Sequence, residues 1–235
     1  MRFYAARRAS RALLLYNPGL TMLVHLMRRG VLALALLLLS AAVPAAPPSG
    51  APALLVLGDS ISAAYGLPVA NGWVNLLAQR LQERRYRYTV VNASISGDTT
   101  AGGRARLPAL LKQHHPAIVV IELGGNDGLR GGDVRAMRDN LDAMVQAAQH
   151  AGAEVLLVGM RMPPNYGSAY TRAFEATYTE VARQRKVPLV PFLFEGFAET
   201  SEWFQPDRIH PTSAAQSRLL ENVWPGLQPL LDRKR

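Results

Sequence analysis

Leu54-Leu55-Val56-Leu57-Gly58-Asp59-Ser60-Ile61-Ser62 passes from an unbroken apolar run into a glycine and a serine. Four consecutive apolar residues, closed by glycine and polar side chains, have the length and composition of a buried strand. A serine at the exit of such a strand stands at the mouth of a sheet, where a nucleophile is useful. Taken alone, Gly-Asp-Ser is more simply a loop or helix-cap arrangement, so its meaning depends on the rest of the chain.

Outward from this strand, strand and helix patterns alternate. Ile118-Val119-Val120-Ile121 is the plainest buried run, and Tyr88–Val91, Val155–Val158 and Leu189–Phe192 read as further strands. Pro191 marks the last of them as an edge. Helical spacing of apolar residues covers Trp73–Arg84, Arg104–His115, Val134–Ala151 and Tyr170–Arg185, with Gly152 in capping position after the third. Thr212–Leu231 closes the chain as a helix with an expected break near Pro225. This alternation predicts an α/β fold of parallel βαβ units, with helices on both faces of one sheet. In such sheets ligands bind beyond the carboxyl ends of the strands, so chemistry is expected in the segments that directly follow them.

Residues chosen for chemical type fall in those segments. Ser60 follows the first strand. The second runs into Asn92-Ala93-Ser94-Ile95-Ser96-Gly97-Asp98-Thr99, where Gly97 can bring a backbone N–H close to a ligand. The third runs into Glu122-Leu123-Gly124-Gly125-Asn126-Asp127-Gly128, where Asn126 offers a neutral amide donor suited to an oxyanion. Asp207-Arg208-Ile209-His210-Pro211 supplies an imidazole with a carboxylate three residues before it. In a turn, that spacing can aim the carboxylate at one ring nitrogen and leave the other for a serine hydroxyl. Each fragment has a bland reading as turn, cap or surface histidine. Their conjunction after different strands of one sheet favours a serine hydrolase.

The totals bound the rest. Met27-Arg28-Arg29, the apolar run Val31–Leu39 and the small residues Ser40–Ala46 have the layout of a secretory signal peptide. Pro44 interrupts the run before the roughly 20 residues that a membrane span needs. Residues 1–46 are therefore expected to be a leader, 47–52 a flexible lead-in and 53–235 one domain, periplasmic or secreted after cleavage. Met22 and Met27 are internal alternatives for the start. Without residues 1–46 the formal net charge falls from +9 to +3, so the basic character is no footprint of nucleic-acid binding. The chain has no cysteine, which excludes a disulfide scaffold, a thiol nucleophile and a thiolate metal site. His114-His115 lacks the one-face spacing of a His-Glu-x-x-His helix, and neither metal nor cofactor is expected.

The motif blocks around Ser60, Gly97, Asn126 and His210 resemble those of the SGNH (GDSL-type) hydrolases, over the whole region from about residue 53 onward. Within that family, Leu107–His114 and Pro164–Gly167 look like the bacterial periplasmic enzymes described as acyl-CoA thioesterase I, arylesterase and lysophospholipase. Ala64-Tyr65-Gly66 departs from the pattern beside the pocket. The resemblance implies a three-layer, flavodoxin-like αβα fold on a five-stranded parallel sheet. It implies Ser60 as nucleophile, His210 as base and Asp207 as its orienting acid. The Ser60 N–H, the Gly97 N–H and the Asn126 side chain would form the oxyanion hole, and Gly128–Gly132 a mobile substrate-closing loop.

Chain-length preference is expected from apolar residues near the rim: Leu129, Met162, Pro163 and Tyr166, with Met160, Phe194, Phe197 and Phe204 as further candidates. The expected partner is a small-molecule ester or lipid, with transient membrane-lipid contact and no nucleic acid, and the expected state is a monomer. Two other readings stand beside this one. A carbohydrate O-deacetylase of the same fold would have a polar pocket. A non-catalytic periplasmic binding module would use the glycine loops as phosphate cradles, but neither Gly-x-Gly-x-x-Gly nor a P-loop lysine motif occurs. An α/β-hydrolase is disfavoured because no Gly-x-Ser-x-Gly elbow occurs.

Overall fold

Strand pairing in the computed structural model, which describes residues 50–233, accounts for the apolar runs directly. The leader 1–46 and residues 47–49 of the lead-in lie outside the described residues. The five strands are β1 (Ala53–Gly58), β2 (Thr89–Asn92), β3 (Ile118–Glu122), β4 (Glu154–Val158) and β5 (Leu189–Val190). All neighbours are parallel, in the order β2-β1-β3-β4-β5. Leu54–Leu57 and Ile118–Ile121 are fully buried, because helices cover both faces. The helices are α1 (Trp73–Glu83), α2 (Thr100–His114), α3 (Gly125–Leu129), α4 (Val134–His150), α5 (Ser168–Arg185) and α6 (Gln216–Arg233). α1 packs with α6 on one face, and α2, α4 and α5 pack in succession on the other. The sheet is the five-stranded three-layer arrangement expected. Its order reverses between β1 and β3, so the switch point lies where Ser60 and Asn126 emerge.

Several boundaries differ from the sequence reading, each for a local reason. α2 begins at Thr100, not Arg104, because Thr99 caps it by accepting the Gly102 N–H at 3.3 Å. The glycines that look like loop are needed for packing: a Cβ on Gly103 would lie 2.3 Å from Leu123 Cδ1. α6 continues through Pro225 and Pro229 without the expected break. Both prolines lie on its exposed side, where freed carbonyls can meet water, while Leu219, Leu220, Val223, Leu227 and Leu230 bury the other. β5 stops before Pro191, which cannot donate to the ladder, and it is the sheet edge. α3, five residues long and opening on glycine, carries no periodic signal and is absent from the sequence reading.

Candidate active site

Ser60 is 8% exposed at the end of β1. Its Oγ lies 2.8 Å from His210 Nε2, and His210 Nδ1 lies 2.6 Å from Asp207 Oδ2. The turn that carries Asp207 and His210 is closed by its own bonds. Asp207 Oδ1 accepts the N–H groups of Ile209 at 2.9 Å and His210 at 3.0 Å. The Gln205 N–H donates to the His210 carbonyl at 2.7 Å, and Gln205 Nε2 donates to the Tyr65 carbonyl at 2.8 Å. That last bond ties the histidine loop to the serine loop, and the Tyr65 ring sits 4.3 Å from the imidazole, centroid to centroid.

Desolvation is the largest influence on Asp207 and opposes its ionisation. The hydrogen bonds from the His210 backbone and ring and from the Ile209 N–H outweigh it and hold the carboxyl at about 2. Asp207 is therefore an ionised acceptor at neutral pH. That places the proton of a neutral imidazole on Nδ1 and leaves Nε2 to accept from the Ser60 hydroxyl. Such a line can remove a proton from serine as it attacks a carbonyl carbon.

The expected anion donors follow β1, β2 and β3. Neither the Ser60 nor the Gly97 N–H donates to another protein atom among the described residues. Gly97 has φ +80. Asn126 lies in α3, and the left-handed residue of its segment is Gly124 (φ +118). A side chain at Gly124 would also strike the Tyr178 hydroxyl, 2.3 Å from a built Cβ. Asn126 Nδ2 donates to Asp59 Oδ2 at 3.0 Å and to the Asp98 carbonyl at 2.9 Å. Its amide is thus oriented by two acceptors.

Three residues that sequence reading missed hold these loops. Glu122, at the end of β3, is fully buried and accepts the Ser62 hydroxyl at 2.6 Å. It also accepts the Asp59 and Ser62 N–H groups, yet burial first, and then the charge of Asp59, push its carboxyl well above the usual range. Burial pushes Asp59 up to about 6, against the bonds from the Ile61 N–H and Asn126 and the field of His210. Arg106 of α2 fastens the β2 loop to the end of β1. Its Nε pairs with Asp98 Oδ2 at 2.8 Å, and its other nitrogens reach the carbonyls of Ala93 and, at 3.3 Å, Gly58. An acid ending an apolar strand was a usable signal for Glu122. Arg106 resembles any other surface arginine in sequence.

From Ser60 a groove of about 480 Å³ extends along the carboxyl ends of β3, β4 and β5. Leu129, Met160, Met162, Pro163, Phe194 and Phe204 line it as expected, joined by Ile61 and Phe192. Two expectations are corrected. Tyr166 is not on the wall: its hydroxyl is turned to the Leu129 carbonyl at 3.0 Å, supporting the loop from behind. Phe197 is 3% exposed and packs behind Phe194 and Phe204. The Gly128–Gly132 segment is tied on both sides, by Tyr170 Oη to the Gly132 carbonyl at 3.0 Å and by Arg130 to the Gly97 carbonyl at 3.1 Å. Among the described residues no group of three metal-ligating side chains gathers.

The sequence profile of the GDSL-like Lipase/Acylhydrolase family matches residues 56–218. Esterase TesA of Pseudomonas aeruginosa is 56% identical over 206 residues, 88% of this chain and 98% of that protein. The Escherichia coli K12 protein named thioesterase 1/protease 1/lysophospholipase L1 is 45% identical over 184 residues, 78% of this chain and 87% of its own length. A crystal structure of TesA superposes with a TM-score of 0.74 at 59% identity, covering 76% of this chain and 99% of that one. With the profile spanning most of the sheet and every loop described above, the chain belongs to the GDSL-like lipase/acylhydrolase family.

Proposed function

We propose that this protein is a serine esterase that hydrolyses carboxylic esters and thioesters through an acyl-enzyme on Ser60. The hydrogen-bonded line Ser60–His210–Asp207 at the head of an apolar groove carries the reading. His210 takes the hydroxyl proton as Ser60 Oγ bonds to the carbonyl carbon. The Ser60 and Gly97 N–H groups and the Asn126 amide receive the oxyanion. As the carbon–oxygen or carbon–sulfur bond breaks, His210 returns the proton to the departing alcohol or thiol. Water then repeats the attack, gives its proton to His210, and frees the acid and Ser60.

The relatives named esterase and thioesterase/lysophospholipase support aryl and short-to-medium acyl esters, acyl-CoA and lysophospholipid as substrates. A site complete within one chain supports a monomer. The leader pattern of residues 1–46 supports export to the periplasm or medium followed by cleavage. Tyr65, Val69, Ile95 and Ile209 are exposed apolar side chains on loops around the serine and histidine segments, and they support transient contact with membrane lipid. Among the described residues no helix is long and apolar enough to cross a membrane.

A series of p-nitrophenyl esters from acetyl to dodecanoyl tests the reading. Each methylene that enters the groove contributes ~0.8 kcal/mol. The expected profile of kcat/KM therefore climbs with chain length and levels off where the groove ends. Activity confined to the acetyl ester would favour the O-deacetylase reading, and no hydrolysis of any ester would end the proposal.

A further inference from the structure

Arg208 sits between Asp207 and His210 with φ +58. A side chain other than glycine or asparagine is strained in that left-handed conformation. Among the described residues five non-glycine residues have positive φ. Three of them, Arg85, His115 and Lys186, end helices, where such a residue closes the last turn. Arg208 ends no helix. Its backbone is held by donation to the Gln205 carbonyl at 2.8 Å. Strain kept at a site is a reason to ask what the side chain does.

Arg208 lines the groove. The other arginine on that groove, Arg161, is engaged by Glu175 at 2.9 Å and Glu195 at 3.5 Å. Arg208 forms no ion pair among the described residues; the neighbouring Asp207 carboxylate is committed to His210 and the Ile209 N–H, and Glu199, also on the groove, pairs with neither arginine.

The reaction fixes which part of the substrate lies nearby. His210 must hand its proton to the departing oxygen or sulfur, so the departing group lies against Nε2. The acyl chain then takes the apolar stretch formed by Met160, Met162, Phe194 and Phe204. Arg208 lies two residues before His210 in the turn that carries the base and lines the same groove, and this nearness to Nε2 is the reason for assigning it the departing group. We propose that Arg208 is a specificity-determining residue that reads a phosphate on the departing alcohol or thiol, raising kcat/KM for esters and thioesters that carry one. This rests on the serine-esterase reading above.

Matched thioesters isolate the effect. Octanoyl-CoA and octanoyl-N-acetylcysteamine share the acyl group and the scissile bond, and only the first carries phosphates. A lysophosphatidylglycerol and the monoacylglycerol with the same acyl chain form the ester pair, both assayed below their micellar concentrations. In Arg208→Gly, which relaxes the backbone and should melt within a few degrees of wild type, the phosphate-to-neutral ratio of kcat/KM is expected to fall about tenfold for at least one pair. Arg208→Lys should restore much of it. Added salt should lower the wild-type ratio and leave the Arg208→Gly ratio flat. The pair that responds identifies whether nucleotide-borne or glycerol-borne phosphate is read. Unchanged ratios in both pairs, or an equal loss on charged and neutral members, would overturn the proposal. A wild-type protein inactive on the neutral thioester and the monoacylglycerol alike would show instead that the esterase reading had failed, taking this inference with it.

Discussion

Ser60→Ala is expected to lower kcat for p-nitrophenyl ester hydrolysis by at least about 10⁴-fold, with the melting temperature nearly unchanged. The Ser60 hydroxyl has one polar partner, His210 Nε2, so its removal leaves the fold's other bonds intact. The Ser60 N–H survives the substitution, as do the groove and the remaining anion donors. What disappears is the oxygen that forms the acyl-enzyme. Binding should therefore persist while turnover falls to the level that oriented water and the donors can support. Steady-state kinetics with a burst-phase assay read both parts: wild type should show acyl-enzyme accumulation on activated esters, and the variant none. A variant within tenfold of wild type would mean that another residue performs the attack.

Asn126→Ala is the second large effect, about 10²–10³-fold in kcat with a much smaller change in KM. The amide donates to Asp59 and Asp98 in the free site. Its value to the reaction appears only when negative charge develops on the substrate oxygen and one of those bonds is exchanged for it. An interaction realised mainly in the transition state lowers kcat and kcat/KM together when removed. Truncation also leaves Asp59 without one of its two protein donors, so melting should be measured alongside. A rise in KM at constant kcat would instead assign Asn126 to ground-state binding.

The strands were the most legible part of the sequence. An unbroken apolar run such as Leu54–Leu57 or Ile118–Ile121 fits a site covered on both faces, and that is where both lie. Helix ends were harder. The Gly103 contact with Leu123 depends on a neighbouring strand's exit loop, and Pro225 is tolerated because of which side of α6 it occupies. In the site, the meeting of Ser60, Asp207 and His210 was legible because each stood after a strand or in the closing loop. Glu122, Asp59 and Arg106 hold those loops through bonds that join segments far apart in sequence. Residue type alone does not reveal such pairing. Tyr166 and Phe197 show the reverse error: their types suit a substrate wall, but packing turns them behind it.

An activated hydroxyl at Ser60 can be trapped by a fluorophosphonate ester, because the ester reacts covalently only with a serine whose proton a neighbouring base can take. Intact-mass and peptide mass spectrometry of the folded protein should show a single adduct, on the peptide containing Ser60, blocked in Ser60→Ala and strongly slowed in His210→Ala. A folded protein that stays unlabelled, or that carries the adduct on another residue with Ser60 free, would rule out Ser60 as the nucleophile.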